Sequence, residues 1–298
     1  MPAEEIPEYP IFRKVALSDR AEIERSFERL PTEVSERTFG AIYIWRGYST
    51  RSRLSVLDDH LLISWRREQF GDVLLQPIGP DPSRVIATLV AARPPEFNGF
   101  FCLTDPTVSM LRERALNPES LRDEWDYVYK TADLAALEGP RYHTQRKELK
   151  KAASHDLVFE QMTEEHNEAC LKLEEVWCDL KSCSFDTLSA AEDAALKEAL
   201  VNFEALGFLG GVVLMDGKVE ALTVGERLNS NTAAVHFEKA NPNIRGLYQV
   251  INQQFCEKVL SDFEYVNREQ DVGEHGLRRA KEGYHPHHFV KKHLLRFG

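Results

Sequence analysis

Long apolar runs are missing from this chain of 298 residues. The longest stretches, such as the one from Phe208 to Met215, are strand-sized, whereas a membrane-crossing helix needs about 20 apolar residues. Integral membrane placement is therefore not expected. Positive charge is in deficit too, with 37 Lys and Arg against 48 Asp and Glu and a net charge of -11. A surface that coats nucleic acid as a whole is excluded on that balance. Cysteine is sparse and odd in number, with five residues at 102, 170, 178, 183 and 256. No second pair stands at zinc-ribbon spacing, so a disulfide framework gives way to buried free thiols. The opening MPAEEIPEYP has neither the positive n-region nor the apolar h-region of a secretory leader, and a cytoplasmic protein is the expectation. Walker, G-x-S-x-G, HExxH and dinucleotide-binding motifs are all absent, which removes the enzyme classes built on them.

What is present is an ordinary globular composition, 43% hydrophobic and 29% charged, long enough for two domains or one large one. Charge is unevenly placed. Residues 156–204 carry 13 acids and three lysines, nearly the whole excess, in a segment that reads as helical. Two basic stretches stand against it, 141–151 with five Lys or Arg and one Glu, and 276–298 with six and one. A local anion-binding surface is thus compatible with an acidic protein.

Along the chain, helical spacing after Ser18 runs to Leu30 and Pro31, and 36–45 reads as a short helix or a strand. Two apolar runs about Asp58-Asp59 make a hairpin over 52–65. Strands follow at 73–77, 97–103 and 125–131, and helices at 82–92, 106–114 and from 133. A basic helix spans about 141–153. Further on, Thr163 starts a helix through Lys181, and Ser189 with Glu192 forms a capping box for another that Gly207 ends. A hairpin turns at Asp216-Gly217, and a third strand covers 233–239. A loop at 241–245 leads to a helix over 246–262, a strand over 264–270, a helix over 275–282 and a last strand over 288–295.

This order in the second half is that of an acyl-CoA N-acyltransferase fold of the GNAT type, and the first half follows a similar order. The fold class expected is α+β: two tandem GNAT-like domains, each a mixed, mostly antiparallel sheet with flanking helices. The boundaries would be 1–150, ending in the basic helix, and 151–298. Three segments carry a family likeness: SERTFGAIYIWR at 35–46, YKTADLAALEGPRYHTQRKELKK at 129–151 and EYVNREQDVGEHGLRRAKEGYHP at 264–286. They resemble the family similar to the C-terminal domain of lysyl-phosphatidylglycerol synthases. The resemblance implies a tandem GNAT-like fold related to the Fem-type transferases that use aminoacyl-tRNA as donor. Full-length synthases hold lipid with membrane helices, and none is read in this sequence, so the resemblance leaves phosphatidylglycerol as acceptor an open question.

Several constellations could carry chemistry. Period-2 geometry over 264–271 puts Asn267, Glu269 and Asp271 on one face and Arg268 and Gln270 on the other. A carboxylate there could bind or deprotonate an acceptor amine, with Asn267 on the substrate. Glu238, at a strand end where many GNAT enzymes carry a base, would gain a raised pKa beside Glu269; alternation from Val235 and Phe237 would instead turn it outward. Tyr284 could protonate a leaving group or simply pack in the core. Arg245 and Gly246 open the next helix and could hold donor phosphates at its N-terminus, although Pro242 removes one donor. Lys281 and Arg268 complete the anion-binding candidates. On the basic helix, His143, Lys147 and Lys150 or Lys151 share a stripe with Arg146 close by, a face for tRNA phosphates or a solvated linker. The histidines at 285, 287, 288 and 293 lack a partner acid or cysteine at ligand spacing, and no metal is expected.

The expected activity is transfer of an aminoacyl group from aminoacyl-tRNA to an amine or hydroxyl acceptor by direct attack. A CoA-dependent N-acyltransferase, with acyl-CoA as donor, and a non-catalytic protein binding a small molecule or peptide are the alternatives. Neither acceptor nor oligomeric state is legible.

Overall fold

A computed structural model of the chain describes residues 4–47, 51–181 and 187–297, without the side chains of 178–181 and 187–189. The backbone forms two compact units. One comprises Met1–Asp126 and Val290–Gly298, the other Tyr127–Phe289.

The first unit runs β1 (Arg13–Lys14), α1 (Arg20–Arg29), α2 (Phe39–Trp45), β2 (Arg53–Leu57), β3 (His60–Arg67), β4 (Gly71–Leu75), α3 (Pro82–Ala92), β5 (Gly99–Leu103), α4 (Asp105–Glu113) and β6 (Glu119–Ser120). The chain continues as β7 (Asp126–Lys130), α5 (Thr131–Ala136), α6 (His143–Ala152), β8 (Leu157–Gln161), α7 (Asn167–Lys181), α8 (Thr187–Val201), β9 (Leu209–Met215), β10 (Lys218–Arg227), β11 (Thr232–Ala240), α9 (Leu247–Lys258), β12 (Tyr265–Asn267), α10 (His275–Glu282) and β13 (His288–Val290). It ends as β14 (His293–Arg296), back in the first unit. The two sheets have orders β1-β2-β3-β4-β5-β14-β6 and β13-β7-β12-β11-β10-β9-β8.

Local chemistry explains the elements. The β2–β3 turn places Asp58 and Asp59 at φ 48° and 60°, the left-handed pair that a two-residue hairpin requires. Thr38 caps α2 by accepting from the Ala41 amide at 3.1 Å. Asp81 caps α3 through the Arg84 amide, with Pro82 at the first helical position, where its missing N–H is not needed. Apolar stripes then close the cores. In the first unit Leu62, Leu74, Ile86, Leu89 and Phe100 are buried together; in the second Tyr127, Tyr129, Phe255, Leu260 and Val266 form one cluster and Val213, Ala221, Leu247 and Ile251 another. Each large side chain so buried contributes roughly 1.5–3 kcal/mol.

Charge is buried as well. Within the first unit the Lys292 ammonium meets Glu36 Oε2 at 2.5 Å and Asp126 Oδ1 at 2.6 Å, with its side chain fully enclosed. Asp126 also accepts from the Ser35 amide and hydroxyl, and Arg67 reaches Glu124 at 2.7 Å. Burial disfavours the Lys292 charge, but the two carboxylates outweigh it and raise its pKa.

Several expectations need correction. The division falls at 126/127, not near 150, because β7 joins the second sheet and α6 packs within that unit. The stretch 288–295 is two strands, β13 and β14, which enter different sheets. The strand expected over 264–270 stops at Asn267, because Glu269 adopts φ 57°. The helix α8 begins at Thr187, so Ser189 lies inside it, and Glu192 faces Lys239 at 3.1 Å instead of a cap. The acidic segment is not all helical: it opens with β8, an edge strand whose Val158 and Glu160 are exposed. Cys102, Cys170 and Cys256 are free and buried; the Cys178 side chain and Cys183 lie outside the described residues.

Candidate active site

In the second unit β11 and β12 pair in parallel, joined by the crossover helix α9. Pairing begins at Thr232 with Tyr265 and stops at Ala234 with Asn267, while β11 runs on to Ala240. Beyond that point the two strands offer side chains instead of backbone to each other.

A bulge decides which side chains these are. In the β10–β11 ladder Val224 faces Phe237 and Gly225 faces Val235, leaving His236 as the extra residue. Gly225 is required there: a Cβ would lie 2.3 Å from the Ala234 carbonyl oxygen. Bulges bend the strand and re-aim a side chain, and here the imidazole of His236 is buried between two carboxylates. Its Nε2 lies 2.7 Å from Glu226 Oε1 on β10, and its Nδ1 lies 2.7 Å from Glu269 Oε1. Burial works against the imidazolium, yet the hydrogen bonds and charges of Glu226 and Glu269 prevail and raise its pKa to about 10. The imidazole therefore donates from both nitrogens.

The second bridge across the opening is Arg268 to Glu238, at 3.0 and 3.1 Å. Arg268 lies over the Tyr284 ring at 4.9 Å, and Asn252 of α9 donates to Glu238 at 3.3 Å. Burial disfavours the guanidinium charge and Glu238 more than restores it, so its pKa is raised.

The turn carrying Glu269 is held from three directions. Asn267 Oδ1 accepts from the Glu269 amide at 2.7 Å. Lys281 donates to the carbonyls of Arg268, Glu269 and Gln270 at 2.5, 3.1 and 2.6 Å. Asp271 is gripped by Arg278 and by the Tyr127 hydroxyl, and it accepts from the Gly273 amide. Burial alone would raise the Asp271 pKa, but these partners lower it far below the usual carboxylate range.

Of the residues singled out from sequence, Glu238, Arg268, Asn267, Glu269 and Asp271 thus gather about the diverging strands. They do not share one strand face, since the chain turns at Glu269. Glu238 and Glu269 are not a repelling pair either, because each faces its own cation. Lys281 has its ammonium engaged by carbonyls and buried, and Asp271 is locked in its ion pair. Tyr284 is buried in the core, its hydroxyl pKa raised by burial. Its backbone carbonyl accepts from the Tyr142 hydroxyl at 3.2 Å.

Arg245 and Gly246 lie elsewhere, at the start of α9. Arg245 is exposed, with Glu148 of α6 at 3.8 Å. Gly246 has φ 85°, and a Cβ on it would stand 2.1 Å from the Glu148 carbonyl oxygen. The glycine serves the close approach of α6. On α6 itself His143, Lys147 and Lys150 are exposed along one stripe. Lys151 pairs with Glu148, and Arg146 donates to the carbonyls of Leu137 and Gly139.

His236 and Glu226 were not foreseen. The available signal was the alternation VHFEK, which sets a titratable His between Val235 and Phe237, two residues before Glu238.

Two mixed sheets, each with a parallel pair joined by a helical crossover, define a tandem acyltransferase fold of the GNAT type. The chain belongs to the family described as phosphatidylglycerol lysyltransferase, C-terminal, whose model matches residues 27–296. A conserved protein of unknown function from Bacteroides thetaiotaomicron VPI-5482 is 30% identical, with a TM-score of 0.87 over 96% of this chain and 98% of that one. L-PGS from Bacillus licheniformis is 14% identical, with a TM-score of 0.64 over 98% and 94%. A tandem GNAT protein from the clavulanic acid biosynthesis pathway is 10% identical, with a TM-score of 0.50 over 97% and 98%. The last two are likenesses of fold. No curated protein matches the sequence. Among the described residues no helix is long and apolar enough to cross a membrane. Family and fold together point to an acyltransferase.

Proposed function

We propose that this acyltransferase moves an aminoacyl group from aminoacyl-tRNA to an amine or hydroxyl acceptor. The observation that carries the choice of donor is the covered start of α9. There the Glu148 carbonyl occupies the space against Gly246 in which a CoA pyrophosphate would approach the backbone, while His143, Lys147 and Lys150 on the same helix stay exposed for a larger polyanion.

The chemistry asked of the site is modest. The acceptor nitrogen or oxygen bonds to the aminoacyl carbonyl carbon, and the tRNA 3′ oxygen leaves with the electrons of the broken ester bond and takes a proton. Glu269 is the group to bind or deprotonate the acceptor. One of its oxygens is fixed by His236, and its side chain keeps 21% of its surface open. Glu226, on the other side of the imidazolium, keeps that hydrogen bond aligned. Positioning and charge stabilisation, rather than a covalent intermediate, would supply the acceleration.

Fluorescent total tRNA, titrated at 50 and 200 mM salt with acetyl-CoA as competitor, tests the reading. Saturable binding is expected, weakening at least about tenfold over that range if only two phosphates are neutralised, and lost in Lys147→Glu/Lys150→Glu. Binding of acetyl-CoA with no binding of tRNA would make CoA the donor. A second reading, recognition without turnover, is favoured by one fact: Glu238, Glu269 and Asp271 all hold cationic partners. Charged tRNA bound but never turned over with any amine would support it.

A further inference from the structure

Arg37 stands in the first unit, directly before the Thr38 cap of α2, and is only 3% exposed. Its Nε and Nη2 are buried with no hydrogen-bond partner among the described residues. These two nitrogens are one edge of the guanidinium, the side-on fork that matches the paired oxygens of a carboxylate. The chain itself shows what fills such an edge. Arg278 grips Asp271 with Nε at 2.9 Å and Nη2 at 2.7 Å.

At Arg37 no acid plays that part. Glu36 and Asp126 are bound to Lys292, and Glu124 to Arg67. Phe27 lies by the guanidinium, its ring centroid 5.8 Å from Cζ. Cys102 is the neighbour whose ionisation would bear on it, and burial raises that thiol's pKa so far that it stays neutral. Lacking an anion, the guanidinium is itself pushed down by burial to about 10. An unpaired buried cation is costly to a fold, and an anion that pairs with it would offset that cost.

We propose that Arg37 anchors a binding site in the first unit for a small monocarboxylic acid, whose carboxylate is held side-on by Nε and Nη2. With a single guanidinium present, a monoanion leaves no buried charge over, whereas a phosphate dianion would. Because neither nitrogen meets solvent, the acid enters through a local opening and closes the edge as it binds.

Thermal melting and isothermal titration of the full chain with sodium acetate and L-alanine test this, with sodium chloride at matched ionic strength and inorganic phosphate as controls. The wild type is expected to show a saturable rise in Tm with at least one carboxylate. Arg37→Met should abolish that response and, free of its unpaired charge, melt no lower than the wild type without ligand. Arg37→Lys keeps the charge but not the fork and should bind about tenfold more weakly; it carries the test if the methionine variant does not fold. An equal carboxylate response in wild type and variant, no response in the wild type, or a response to phosphate alone would overturn the assignment. So would a lowered Tm of Arg37→Met with the acetate response intact, which would make Arg37 a packing residue.

Discussion

His236 concentrates the electrostatics of the second unit in one imidazole. A group whose pKa is raised on folding stabilises most below its unfolded value of about 6.5 and loses that contribution as pH climbs through its folded value, here about 10. His236→Gln leaves the buried Glu226 and the partly open Glu269 without their shared cation and is expected to cost about 3–5 kcal/mol at pH 6. Urea unfolding at pH 6, 8 and 10 should show the gap to wild type narrowing with pH; a constant gap would mean that the wild-type imidazole is already neutral at pH 6. Asp271 has the opposite sign. Its lowered pKa gives stability that is present above about pH 4 and drains away as pH falls. Asp271→Asn should therefore lose about 3–5 kcal/mol at pH 7 and show a flatter acid limb in the same assay. Glu238, Arg268 and Glu269 could be picked out from sequence because polar residues at a strand end are conspicuous. Their pairings could not, since the partner of Glu269 depends on a bulge that period-2 counting does not contain.

Among the elements, α6 and α9 meet through a glycine. Gly246→Ala would force a non-glycine residue to φ 85° and drive its Cβ into the Glu148 carbonyl. The backbone conformation alone costs about 1–2 kcal/mol, and the clash must then part α6 from α9. Denaturant unfolding should show a loss above that figure, and tRNA affinity should fall with it if the α6 stripe is the binding face. A variant as stable as wild type would show that α6 can shift without cost. Helices and hairpins with turn or cap chemistry, such as α3 behind Asp81-Pro82 and β9–β10 about Asp216-Gly217, were legible from sequence. The two-residue strands β1 and β6 were not, since so short a run carries no periodicity. β12 was overextended because a positive φ at a glutamate leaves no mark in the sequence.

For the whole molecule, the decisive contacts are long-range. The last strand, β14, lies between β5 and β6 and brings Lys292 to Glu36 and Asp126. Lys292→Met removes the shared cation of two buried acids and should destabilise the first unit by about 3–5 kcal/mol, read as an earlier transition in calorimetry; an unchanged trace would count against the cluster. Element order together with the family likeness of three segments made the two-unit architecture readable. It could not show that 288–295 divides between sheets, because His288 to Leu295 reads locally as one strand. The placement of β14 also bears on how the protein is made. As the ribosome extends the chain, the first sheet must wait for the whole of Tyr127–Phe289 before its sixth-placed strand exists, roughly 10–30 s at about 5–20 residues per second. For that interval the nascent N-terminal unit presents an open β5 edge, exposed to mispairing. Vectorial folding is thereby denied to it, and its completion must follow synthesis of the second unit.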